Sequence, residues 1–167
     1  HSVLPFADSL ILPFFHSRCA FSISVVMVAM KGTLMSCILA IDQGTTNTKA
    51  LLVDESGALI SRGSVPTGVH YPQPGWVEQD PREIWHCTLE AIAQCLLRAG
   101  STSSIAALAI ANQRETAMLW DRRTGKPCGP AVVWQCRRTA PFCRELKAQG
   151  LETRLQTTTG LQVDPMF

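Results

Sequence analysis

A chain of 167 residues, 46% hydrophobic and 17% charged, has the composition of a folded domain, which excludes a disordered or fibrous polypeptide. Fifteen basic residues against thirteen acidic ones leave a formal charge of +2 with no dense Lys/Arg block, which argues against nucleic acid or an anionic membrane and for a small-molecule partner. Seven cysteines (19, 37, 87, 95, 128, 136 and 143) contain no Cys-x-x-Cys and no histidine at ligand spacing, so the expectation is reduced thiols in a cytoplasmic protein, with neither a disulfide framework nor a zinc site.

The chain opens on His1, and residues 1–36 are apolar and Ser-rich without a strand or helix period. Residues 19–30, preceded by Arg18, have the length of a signal h-region but fall short of the roughly 20 apolar residues that span a bilayer. The preferred reading is a non-native or unstructured leader, with a start at Met30 or Met35, because the first folded element follows directly. From Cys37 the signals become regular. Residues 37–42 and 49–54 read as buried strands, and Glu55-Ser56-Gly57 turns the chain into a third over residues 58–65, forming an antiparallel meander.

The Pro- and Gly-punctuated stretch 70–81 ends in a helix start, with Asp80 as N-cap, Pro81 at N1 and Glu83 at N3 of a capping-box-like pattern. Ile84, Thr88, Ala91 and Cys95, with Trp85, Leu89, Ile92 and Leu96 beside them, are expected on one buried face until Gly100 ends the helix. A fourth strand is expected over residues 105–113. Residues 116–121 should pair with a further strand across the turn at 122–127, and a second helix should cover residues 139–150. Strands with a helix between them give an α/β class, and near-continuous apolar strands predict a sheet covered on both faces.

Residues 42–48, Asp-Gln-Gly-Thr-Thr-Asn-Thr, carry the first chemical signal. An aspartate ending a buried strand, followed by Gly44 and small polar residues, leaves backbone N–H groups and hydroxyls to converge on an anion while the carboxylate faces a cation. Phosphate with Mg²⁺ suits such a loop; a polar hairpin with a turn aspartate is the plainer alternative. A Walker loop is excluded, because Gly-x-x-x-x-Gly-Lys-Ser/Thr is absent and a strand follows.

Residues 40–54 resemble the first phosphate loop of the actin-like sugar kinases, in the glycerol kinase branch of the FGGY family, and five later blocks (71–85, 112–116, 120–127, 131–140 and 159–165) resemble that branch in order and spacing. The resemblance covers residues 37–167. It implies an actin-like ATPase (ribonuclease H-like) domain, a mixed sheet with flanking helices, ending at its C-terminus within the first, substrate- and phosphate-binding domain of a longer two-domain kinase. It also implies transfer of the ATP γ-phosphoryl group to glycerol, giving sn-glycerol 3-phosphate, with ATP and Mg²⁺ as cofactors.

In that reading Asp42 helps place the metal, Gly44, Thr45, Thr46 and Asn47 cradle the phosphates, and Lys49 adds charge where arginine is common in the family. Arg114 and Glu115, directly after an apolar strand, pair a five-donor guanidinium with an acceptor-only carboxylate, which suits two neighbouring hydroxyls of a polyol; a structural pair at a strand end is the alternative. Trp134 offers a flat wall to the C–H groups, while Trp76, Trp85 and Trp120 read as structural or loop-packing residues. Arg137 and Arg138 admit phosphate steering, capping or surface pairing equally.

Met166 stands where the family usually has tyrosine, so one directional hydrogen bond to substrate is missing and a related polyol or a relaxed range is a second expectation. The resemblance places the catalytic aspartate beyond Phe167 and most of the adenosine site in a second domain, so this chain alone is expected to be inactive. A non-catalytic actin-like nucleotide-binding module is the competing class. No membrane or nucleic-acid partner is expected, and a homo-oligomer of the full-length enzyme is left open.

Overall fold

The computed structural model describes residues 28–29, 36–100 and 104–167. The elements run β1 (Val28–Ala29), β2 (Ser36–Gln43), β3 (Asn47–Val53), β4 (Leu59–Pro66), β5 (Glu78–Gln79), α1 (Pro81–Ala99), β6 (Ser104–Asn112), β7 (Ala131–Val132), α2 (Ala140–Ala148) and α3 (Glu152–Thr159). The chain divides into two compact units, one comprising the residues up to Pro66 with Cys87–Asn112, the other Thr67–His86 with Gln113–Phe167.

In the first unit β2, β3 and β4 form the expected antiparallel meander, inside a mixed sheet of order β1-β6-β2-β3-β4. A parallel partner for β2 requires a crossover, and α1 supplies it: β6 returns alongside β2 with Ile41 opposite Ile110 and Gln43 opposite Asn112. Val28–Ala29, inside the segment read as a leader, pairs antiparallel with β6, and Ser36 opens β2; residues 1–27 and 30–35 lie outside the described residues.

Strict alternation selects the core. Cys37 and Leu39 of β2, Ala50 and Leu52 of β3 and Val65 of β4 point to one face, where Cys87, Ala91 and Cys95 of α1 cover them. These three lie four residues apart on one helical stripe. Trp85, Leu89 and Leu96, expected beside them, are exposed, since at 3.6 residues per turn they sit about half a turn away from Cys87. β4 meets α1 closely at Gly63, where a Cβ would fall 2.0 Å from the Ala91 carbonyl oxygen, and Ser61 donates from Oγ to the Cys95 carbonyl at 2.9 Å.

Among the described residues of this unit, a helix covers the sheet on one face and not on both as expected. α1 covers one face, while Ile38 and Ile60 are exposed and Leu51 and Val53 half-buried, as alternation demands when one face alone meets a helix.

The start of α1 follows the sequence in part. Asp80 Oδ1 accepts from the Arg82 N–H at 2.8 Å, but Glu83 does not close a capping box on Asp80; its carboxylate accepts instead from the Gly68 N–H at 2.8 Å. The second unit is organised by short pieces. β5 and β7 pair antiparallel around a small core of Val77, Val133 and Cys136, with Trp76 packed against it.

The hairpin expected over residues 116–121 reduces to two single bridges, Ala117↔Val132 and Trp120↔Pro127. Pro127 and Pro130 lack the N–H that a continuous ladder needs. Residues 140–148 form α2 as expected. Helix α3 was not expected: it buries no residue, its Thr157-Thr158-Thr159 run has low helix propensity, and Gly160 at φ 75° ends it. Among the described residues no helix is long and apolar enough to cross a membrane.

Candidate active site

The residues singled out in the sequence fall into two groups, one in each unit. In the first unit β2 and β3 are joined by a tip at Thr45-Thr46, closed by the Gly44 N–H donating to the Asn47 carbonyl at 3.0 Å. Neither threonine has positive φ, so the tip is not one of the primed turns that tight hairpins favour. Gly44 is required by space, since a Cβ there would lie 2.9 Å from the Asn47 carbonyl oxygen. Gln43 Nε2 steadies the bend from outside by donating to the Gly44 carbonyl at 2.9 Å.

Alternation then sorts the flanking side chains. Thr48 is fully buried, whereas Asp42 and Lys49 face each other across the ladder on the solvated face, with Nζ 3.9 Å from Oδ2 and about half of each side chain exposed (51% and 53%). At that separation and exposure the pair contributes little to stability, and both groups keep their charge available to a ligand.

Among the described residues no cluster of three or more His, Cys, Asp or Glu could hold a metal ion by itself. A Mg²⁺ that keeps several waters and bridges phosphates needs only one or two carboxylates, and the half-exposed Asp42, beside the Thr45-Thr46 tip, fits that requirement.

In the second unit Arg114 and Glu115 form the turn that follows β6. Glu115 adopts φ 59°, the only positive φ at a non-glycine among the described residues. Such a residue pays about 1–2 kcal/mol for left-handed backbone, and strain of that kind collects where a side chain must be aimed. The turn is anchored on its N-terminal side by a fully buried Gln79, whose Oε1 accepts from Gln113 Nε2 at 2.7 Å while its own Nε2 donates to the Gly68 carbonyl at 3.1 Å.

On the other side the Ala117↔Val132 bridge, with both N–H···O bonds formed (3.0 and 2.8 Å), brings in the segment that carries Trp134. Glu115 lies two residues before the bridge and Trp134 two residues after it, each in a turn that flanks the bridge. Trp134 is 37% exposed, with Val133 and Cys136 near it in sequence both buried.

Arg137 and Arg138 are taken up by pairing. Arg137 holds Asp164 at 3.1 Å. Arg138 lies 4.0 Å over the Trp76 ring, reaches Glu78 at 2.7 Å and donates from Nε to Cys136 Sγ at 2.9 Å. Burial pushes the Cys136 thiol up, but the hydrogen bond from Arg138, helped by backbone groups and the guanidinium charge, outweighs it and holds the thiol below its ordinary value. The six described cysteines are free thiols.

Two clefts in this unit have volumes of about 330 and 340 Å³; the first runs from His70 and Glu78 to Pro130, the second from Ala117 to Val132, and neither is lined by Arg114, Glu115 or Trp134. Gln79, Gln113 and the Arg138–Glu78 pair were missed in the sequence. The period-two burial of Val77 and Gln79 just before the helix cap was the available signal for Gln79; nothing local marks a glutamine as a buried relay.

Comparison with known proteins identifies the family and the fold. The profile described as FGGY family of carbohydrate kinases, N-terminal domain, matches residues 37–167. Glycerol kinases of Symbiobacterium thermophilum and Burkholderia cenocepacia are each 50% identical to this chain over 131 residues, 78% of this chain and 26% of theirs. A crystal structure of Plasmodium falciparum glycerol kinase with ADP superposes with a TM-score of 0.74 at 32% identity, covering 80% of this chain and 27% of that one.

Xylulose kinase of Rhodospirillum rubrum gives a TM-score of 0.72 at 26% identity, over 78% of this chain and 27% of its own. The chain thus spans about a quarter of the length of the relatives it matches. Its mixed sheet with flanking helices is the actin-like fold that these kinases share, and the chain belongs to the FGGY family of carbohydrate kinases.

Proposed function

We propose that residues 37–167 serve within the substrate- and phosphate-binding domain of an enzyme that transfers the γ-phosphoryl group of ATP to a primary hydroxyl of glycerol, giving sn-glycerol 3-phosphate and ADP. What supports this reading is the strained Arg114–Glu115 turn, with the Ala117↔Val132 bridge two residues in sequence from both Glu115 and Trp134. The carboxylate accepts from substrate hydroxyls, the guanidinium donates to them, and the indole face packs on the C–H groups.

Positioning of this kind is most of what phosphoryl transfer asks of a protein. The phosphates rest on the backbone and hydroxyls of Gly44, Thr45, Thr46 and Asn47, with Lys49 adding charge. Asp42 would hold Mg²⁺, which when bound neutralises phosphate charge. No residue of this chain is assigned the hydroxyl proton, and the 167 residues alone are proposed to lack turnover.

Similarity to glycerol kinases at 50% identity favours glycerol. Met166, half-buried beside Asp164, favours the second reading, an FGGY kinase acting on another polyol or sugar, because a thioether cannot replace the directional bond of a phenol. The test is ATP consumption by the complete gene product with glycerol, other polyols and pentuloses. Highest kcat/KM on glycerol supports the first reading, and highest on another polyol or pentulose the second. ATP binding without turnover on any acceptor would leave the non-catalytic nucleotide-binding module.

A further inference from the structure

We infer that Gln79 is a positioning residue for the acceptor site, setting the Arg114–Glu115 turn through a one-way chain of amides; this rests on the functional reading above. The direction of the chain is fixed by chemistry. The Gly68 carbonyl can only accept, so the group 3.1 Å from it must be Gln79 Nε2, which leaves Gln79 Oε1 to receive Gln113 Nε2 at 2.7 Å. Gln79 is fully buried, so neither end of its amide has water as an alternative partner, and removing it takes a partner from two part-buried groups, the Gly68 carbonyl and Gln113 Nε2.

The anchor itself is rigid. The Gly68 N–H is held by Glu83 from the first turn of α1 at 2.8 Å, and Gln79 sits in β5 opposite Ala131 of β7. Gln113 is the residue before Arg114, and the turn it ends in contains the left-handed Glu115, a conformation that persists only where its surroundings hold it. The Ala117↔Val132 bridge holds the far side of the turn, and the Gln79–Gln113 bond holds the near side. Without the near restraint the backbone relaxes and both acceptor groups shift together, although Gln79 itself touches no substrate.

The experiment is steady-state kinetics of the complete gene product with Gln79→Leu, Gln113→Leu, the double variant and Arg114→Ala. Gln79→Leu should raise the acceptor KM by roughly tenfold to a hundredfold, the cost of misplacing aligned groups, while the KM for ATP changes by less than about twofold. Because both leucines break the same bond, the double variant should be no worse than the worse single one.

Gln79→His should recover most of the loss, since a neutral imidazole keeps one donor for Gly68 and one acceptor for Gln113. That rescue also separates positioning from bulk packing. If Arg114→Ala raises the acceptor KM and folded Gln79→Leu or Gln113→Leu does not, the relay is wrong and the site stands. If Arg114→Ala leaves the acceptor KM unchanged, the site reading fails and the relay inference with it. Should Gln79→Leu not fold, Gln113→Leu decides alone, because Gln113 is only half-buried.

Discussion

The two units of the chain are stabilised by different physics. Around β2, β3, β4 and α1 the first unit is an apolar sandwich of Cys37, Leu39, Ala50, Leu52, Cys87, Ala91 and Cys95, ordered by period two in the strands and by four-residue spacing in the helix. The second has a core of Val77, Val133 and Cys136, and its loops are tied by named polar pairs: Gln79–Gln113, Arg138–Glu78, Arg137–Asp164 and Glu83–Gly68. Apolar packing tolerates imprecision and gives the first unit its regular elements. Directional bonds hold irregular backbone in place, which is what the turn at Arg114 and Glu115 needs.

If that contrast is right, the largest stability loss belongs to the first unit. Gly63→Ala puts a methyl group 2.0 Å from the Ala91 carbonyl oxygen and 2.9 Å from both the Cys95 nitrogen and the Gln94 Cβ, atoms fixed to the helix backbone. Overpacking usually costs about 1–3 kcal/mol, and here the upper end or more is expected, read as a fall in the urea midpoint. Leu52→Ala, at a fully buried position, should cost about 3 kcal/mol through lost burial and the cavity left behind.

In the second unit Arg138→Lys keeps the charge but loses the planar fork that serves Glu78, Trp76 and Cys136 together. With both side chains of the ion pair partly solvated, a cost of about 1 kcal/mol is expected, and a loss as large as that of Leu52→Ala would break the contrast.

The smallest effect should be common to both units. Asp54 is held below the usual carboxylate range by the Ser56 hydroxyl and by the Ala58 N–H, and Asp121 by the N–H groups of Thr124 and Arg123. A carboxyl lowered in the folded state adds stability that is present above its unfolded value and lost as pH falls through its folded value. The urea midpoint should therefore slip slightly as pH drops below the usual carboxylate range, and Asp54→Asn and Asp121→Asn should each flatten that slope. An equal slope in both variants and the parent would refute the assignment.

The same contrast explains what was legible in the sequence. The meander, α1 and β6 were readable because their stabilising residues recur at fixed spacing, and the tip joining β2 to β3 because its glycine and hydroxyls stand in one run. Arg114, Glu115 and Trp134 were visible as residue types, and the motifs around them carried the family. Neither α3 nor the reduction of residues 116–121 to single bridges was readable, since one lacks an apolar stripe and the other depends on where two prolines remove N–H donors. Trp85 and Leu89 were misread because an apolar residue near a buried stripe counts as part of it only if the helical angle agrees. The Gln79–Gln113 link joins residues 34 apart, beyond any local pattern.

The measurement that tests the central claim most directly is the effect of Arg114→Ala on the complete gene product, with acceptor and ATP varied separately. The account predicts an acceptor KM raised by about tenfold or more and a KM for ATP unchanged within about twofold. An unchanged acceptor KM, or a loss confined to ATP, would contradict it.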